Sequence, residues 1–170
     1  MEFNIESYNE FQKKYVGESD RSVAILAISY LDNYLEQSIK QKFADHKIAN
    51  KLFEGYGPLA TFSAKIDIAL LLGLITERVH LDLNVLRKIR NMFAHEAESL
   101  SFETNRIKDL CSNLWPAEGI PKSDGTKRIT EGSKSQFLNS VFWCFLHIET
   151  ELQRTSKLVI PKFHFMEVVE

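Results

Sequence analysis

Between Ser19 and Ala44 the residues Ala24, Ala27, Ile28, Leu31, Tyr34, Leu35, Ile39 and Phe43 recur at steps of three and four. A strand alternates its side chains at a period of two and would scatter these positions over both faces. An α-helix, at 3.6 residues per turn, gathers them on one side. Ser19-Asp20 supplies a helix-start signal, so the spacing predicts one helix over 20–44. A stripe of that length must be covered, which commits the chain to helix-on-helix packing. The covering elements follow in order. After the turn cluster "EGYGP" (54–58), Thr61 or Ser63 caps a second helix with Phe62, Ile66, Ala69, Leu70 and Leu74 on one side. A third runs from about Asp82 to Phe93, with Val85, Leu86, Ile89, Met92 and Phe93 as its stripe. Ser101 opens a fourth, bearing Ile107, Leu110, Cys111 and Leu114 and ending before Pro116. A last one runs from about Lys134 to Thr155, with Phe137, Val141, Cys144, Ile148 and Leu152 in register.

The fold expected is therefore all-α, a single-domain helical bundle of about five to six helices spanning 1–170. Its parts are a helical core over 18–115, a loop over 116–133, a C-terminal helix over 134–156 and a tail over 157–170. Pro161 interrupts the tail, so it reads as extended. In the loop, Asp124-Gly125 is a hairpin-type turn signal and predicts a short hairpin near 120–130.

Composition narrows the class. Hydrophobic residues at 44% and charged residues at 26% separate the chain from disordered sequences. The net charge of −2 lacks the overall basic field of a nonspecific nucleic-acid binder, though it leaves room for local patches. Cys111 and Cys144 fall in apolar helical stripes and form no CxxC pair, so they read as buried thiols of a reducing compartment. The start, "MEFNIESYNE", is acidic and polar, unlike a signal peptide. The runs "IALLLGLI" and "VFWCFLHI" are too short to span a bilayer. The expected place is the cytoplasm, with no membrane partner.

The polar stretch with the most chemistry in it is "RKIRNMFAHE", residues 87–96. His95 could move a proton to or from a ribose hydroxyl or a leaving oxygen. Arg90 could stabilise charge building on a phosphate, and Asn91 could fix the imidazole tautomer or contact the phosphate. None of this needs a metal. Helix geometry opposes it, because Arg90 and His95 are rotated by roughly 140° from each other, whereas Asn91 and His95 lie one above the other. A composite site needs the helix to loosen before His95, or a second copy of the chain. Basic groups in a last helical turn also have an ordinary role, favouring the dipole and bonding free carbonyls. Seven arginines, three allowed spacings and five histidines give about 0.6 chance matches, so the spacing alone decides little.

Other features are weaker. "GYGPLATFSAK" has the look of a phosphate loop leading to Lys65, but no GK[ST] follows and Pro58 removes a donor; a turn leading into a capped core helix is the simpler reading. Lys122, Lys127, Arg128 and Lys134 make 122–134 locally basic. With Arg87 and Lys88, the pair Lys127 and Arg128 are the candidate nucleic-acid contacts. His46, His80, His147 and His164 show no metal-ligand spacing, and neither a metal nor a cofactor is expected. Asp32 and Glu36 on the first helix and Asp67 on the second are acidic groups able to pair with Arg90 across a bundle.

Three blocks carry a resemblance: "ESDRSVAILAISYLDNYLEQSIKQKF", "LFEGYGPLATFSAKIDIALLLGLI" and "LDLNVLRKIRNMFAHEAESLSFE". Over about 18–115 they resemble the mannitol operon repressor family in order and spacing. The resemblance implies a compact helical bundle, a bacterial source and a transcriptional regulator, in a family without a recognisable DNA-reading helix-turn-helix. "RNMFAH" is similar to the Arg-Asn-x-x-x-His signature of the HEPN superfamily (higher eukaryote and prokaryote nucleotide-binding domains). Many of its members are helical, metal-independent ribonucleases of toxin and defence systems whose sites form where two copies meet. Carried over by position, Arg90, Asn91 and His95 would be the catalytic set. Two expectations result. One is a regulatory interaction module, homodimeric, with a protein partner in transcription regulation. The alternative is a ribonuclease. Binding of RNA or DNA is left open by both.

Overall fold

The computed structural model describes residues 10–96, 100–115, 120–121, 127–128 and 132–161. Its helices are α1 (Asp20–Lys42), α2 (Ile48–Lys51), α3 (Phe62–Leu71), α4 (Glu77–His95), α5 (Asn105–Ser112) and α6 (Gly132–Arg154), and residues 10–13 are helical as well. The all-α bundle expected from the stripes is what the chain forms. Two short strands, β1 (Ile120–Pro121) and β2 (Lys127–Arg128), pair antiparallel with Ile120 opposite Arg128, as the expected hairpin requires, while the turn signal Asp124-Gly125 lies outside the described residues. Among the described residues no helix is long and apolar enough to cross a membrane.

Three of the helices, α1, α3 and α4, begin where a side chain accepts a free backbone N–H. Ser19 Oγ accepts from Ser22 N, Thr61 Oγ1 from Ala64 N and Thr76 Oγ1 from Val79 N. α1 packs against α3, α4 and α6; α4 also meets α3, α5 and α6. The stripe residues Ala24, Ala27, Ile28, Leu31, Leu35 and Ile39 are all fully buried. A run of rings, Phe93–Phe102–Phe137, joins the end of α4 to α6 through the chain before α5, with centroids 5.1 and 5.2 Å apart. Both cysteines are buried and free. Burial pushes the Cys111 thiol up to about 12 and the Cys144 thiol up as well, so neither offers a thiolate near neutral pH.

Among the differences from the sequence reading are two helix starts and one short helix that it did not identify. α4 starts at Glu77 rather than Asp82, because Thr76 caps it and Glu77 favours its dipole. α5 starts at Asn105 rather than Ser101. Ser101 Oγ accepts from Glu103 N while Thr104 Oγ1 accepts from Ser101 N, and the two bonds close a turn before the helix. The short α2 buries no residue, so it leaves no stripe to read. Beyond α6 the described tail, up to residue 161, has no regular structure, and Leu158 N donates to Lys42 O at 2.8 Å.

Candidate functional site

α4 carries the "RKIRNMFAHE" stretch on two different faces. Leu86, Ile89 and Phe93 are buried in the core. On the outer side a shallow open groove brings together Asn84, Arg87, Lys88, Asn91 and His95, with Leu81, Val85 and Met92 as its apolar part. Lys88 and His95 are exposed, while Arg87 and Asn91 are half-buried. Arg90, also half-buried, does not line this groove. The helix is regular through His95, and the N–H of the capping residue Glu96 still bonds Met92 O at 3.0 Å. It does not loosen before His95, so within one chain Arg90 and His95 stay on separate faces and only Asn91 and His95 share a site.

The groove is partly tied down. Arg87 Nη2 donates to Asn84 Oδ1 at 3.3 Å, and Asn84 Nδ2 donates to the His80 carbonyl at 3.0 Å. Arg87 Nε is buried with no hydrogen-bond partner among the described residues. At the far end Arg106 holds Glu96 at 2.6 Å. A basic group does bond the last carbonyls of α4, but it comes from α1: Arg21 Nη2 donates to Ala94 O at 2.9 Å. Of the other candidate contacts, Lys127 and Arg128 lie in β2, and Lys122 and the side chains of that pair fall outside the described residues. Lys134 bonds Asp20 at 3.2 Å and the Glu18 carbonyl at 3.1 Å.

Asp32, Glu36 and Asp67, the acidic partners expected for Arg90, are engaged elsewhere. Asp32 and Glu36 both bind Lys65, at 2.8 and 2.7 Å, and Glu36 also binds Lys40 at 2.7 Å. Asp67 meets His80 Nε2 at 2.8 Å. Burial alone would lower the Lys65 ammonium, but the hydrogen bonds and charges of the two carboxylates carry it above its ordinary value. Burial would likewise raise Glu36, yet its bonds to Lys40 and Lys65 bring it below the usual range. A lysine this committed and 4% exposed has nothing to offer a phosphate. The "GYGP" loop is a packing device instead. A Cβ on Gly57 would lie 2.4 Å from the Leu52 carbonyl oxygen, and Leu59 N closes the loop onto that same carbonyl at 2.8 Å. It delivers the chain to Thr61 and the start of α3, as the simpler reading expects.

A second cleft, of about 400 Å³, went unread in the sequence. It lies between α4, α6 and the chain after α5, and is lined by Arg78, Asp82, Trp115, Trp143, His147 and Glu151 among others. The rings of Trp115 and Trp143 meet edge-on, with centroids 5.0 Å apart at 73°. Asp82, buried, accepts two bonds from Arg78, at 2.9 and 3.2 Å, and one from Trp115 N at 3.3 Å. Burial pushes its carboxyl above the usual range against the pull of Arg78. His147 Nε2 is buried without a hydrogen-bond partner among the described residues, and burial holds the imidazole below its ordinary value. Trp143, His147 and Glu151 recur every four residues on α6, a signal readable in retrospect. Their stripe flanks the more apolar one that identified the helix.

Among the described residues no three His, Cys, Asp or Glu side chains are grouped to hold a metal. No curated protein and no solved structure matches the sequence. The family model described as mannitol repressor matches residues 17–162, which takes in all six helices and the hairpin. The chain belongs to the mannitol repressor family.

Proposed function

We propose that this chain regulates transcription of a mannitol-type operon from the cytoplasm through protein contacts, as a homodimer, using the groove on α4. The family match over 17–162 carries the regulatory part. The groove supports the contact mode. Its lining joins an apolar part (Leu81, 59% exposed, with Val85 and Met92) to polar side chains, the make-up of a protein-binding patch. A surface that tracks a phosphate backbone needs many cations, whereas this groove offers two, Arg87 and Lys88. Deleting the gene should raise expression from the operon's promoter, and a Leu81→Arg variant should fail to restore repression while keeping its helical content. A band shift of a short operator by the purified protein alone, resistant to unrelated competitor DNA, would overturn the protein-contact mode.

A second reading is favoured by one observation. Asn91 and His95 stand a turn apart in the same groove, with His95 exposed. In a metal-independent ribonuclease His95 would move the proton, and Arg90 of a second copy would meet the charge on the phosphate. Cleavage of RNA in EDTA, lost in Arg90→Ala and His95→Ala with the fold intact, is the result expected of that reading. Uncut RNA of varied sequence, together with harmless expression in the host, would count against it.

A further inference from the structure

The cleft between α4, α6 and Trp115 has a chemistry of its own, independent of either reading of α4. We propose that it binds a small, neutral, planar aromatic molecule that carries one hydrogen-bonding group. Its size, about 400 Å³, is near the lower end for ligand pockets and suits a one- or two-ring guest. The edge-on tryptophan pair forms a corner against which a third ring can lie face to one indole and edge to the other.

Charge balance sets the neutrality. The four ionic side chains on the cleft are two matched pairs, Arg78 with Asp82 at 2.9 Å and Arg154 with Glu151 at 2.9 Å. A charged guest would have to break one of them or stay uncompensated in a half-buried site. Polarity sets the single polar group. The Asp82 carboxylate is filled by Arg78 and Trp115 N, and the Thr150 hydroxyl donates to Leu146 O at 2.8 Å. His147 Nε2 is buried without a partner among the described residues. A half-turn of the imidazole about its second torsion exchanges Nε2 with Cε1, so the ring can offer that nitrogen to a guest without moving α6. A sugar alcohol has a hydroxyl on every carbon and would leave most of them unpaired here.

The chain's two tryptophans are both in this cleft, so indole fluorescence reports on it alone. Phenol is the probe: one ring, neutral at pH 7, and able to donate or accept whichever tautomer His147 adopts. Titrated into the full chain with excitation selective for tryptophan, phenol should give a saturable change with a midpoint of about 1 mM, the affinity open to so few atoms. Thr150→Phe, which adds a ring to the cleft's lining, should abolish saturation. His147→Phe should weaken phenol about tenfold and leave toluene within twofold. Mannitol should produce no saturable change. A linear response to phenol that is the same in wild type and Thr150→Phe is collisional quenching and would overturn the site. Saturation by mannitol would overturn the ligand class. Equal loss of phenol and toluene in His147→Phe, or of neither, would overturn the role of His147.

Discussion

Gly57 and Lys65 show how much a single residue holds in place next to α3. Gly57 is needed for space rather than for an unusual backbone angle, since the nearest atoms to an added Cβ are the backbone carbonyls of Leu52 and Lys51. Backbone cannot swing aside as a side chain can. Gly57→Ala should therefore cost about 2 kcal/mol, in the range of overpacked cores, visible as a lower midpoint in urea. Lys65 binds Asp32 and Glu36 with its own side chain 6% exposed and theirs 24% and 25%. Breaking a fully buried pair costs about 3–5 kcal/mol; these carboxylates keep some water, so Lys65→Met should cost about 2 kcal/mol. The same cluster sets a pH dependence. Glu36 is below its ordinary value of 4.5, so its contribution is present above that pH and is lost as pH falls through the depressed value. Lys65 is above its ordinary 10.5, so its contribution is complete below that pH and is lost as pH rises through the raised value. Stability curves of wild type and Lys65→Met should converge at both the acid and the alkaline ends and differ most between them. Parallel curves across the whole range would show that the charges are not what the cluster contributes.

At the scale of elements, caps decide where the helices begin. Thr76 accepts from Val79 N, so Thr76→Ala should cost about 1 kcal/mol. Thr104 makes no side-chain bond to its own helix, and its hydroxyl accepts from Ser101 N outside it. Thr104→Ala should thus leave α5 intact by circular dichroism and loosen only the 101–104 turn, seen as faster amide exchange at Ser101. The helices were legible because each long one has a buried stripe that recurs at three and four residues. Where burial is missing, reading failed: the first turn of α4 presents only Val79 to the core, and α2 presents nothing. The site was legible in part for the same geometric reason. That Arg90 and His95 point apart follows from 3.6 residues per turn, provided the helix is regular, and it is. The Arg21 bond to Ala94 and the Trp115–Trp143 cleft join residues far apart in the chain, and no local pattern encodes such packing.

For the molecule as a whole, the question is whether one copy of the chain is a complete functional unit. As a ribonuclease it would not be. α4 is regular, His95 is in the groove and Arg90 is outside it, so the arginine and the histidine of one site must come from different copies. That arrangement makes a complementation experiment decisive. Arg90→Ala and His95→Ala chains are each inactive alone. Unfolded together and refolded at equal amounts, they form mixed dimers in half of the assemblies. In each mixed dimer one site takes its arginine from the His95→Ala copy and its histidine from the Arg90→Ala copy, and is intact; the other lacks both. Activity should return to on the order of a quarter of wild type, the fraction of intact sites under two-fold symmetry. A site built from the two residues of a single copy gives the same quarter-level count only if each mixed dimer still holds one unaltered chain, which it does not, so recovery would be nil. As a regulator that works by contact, the chain needs no such pairing: Arg90→Ala, which lies outside the groove and keeps Leu81, Val85, Met92 and His95, should repress as wild type does while it abolishes cleavage. That substitution, read by RNA cleavage and by promoter output, therefore separates the two.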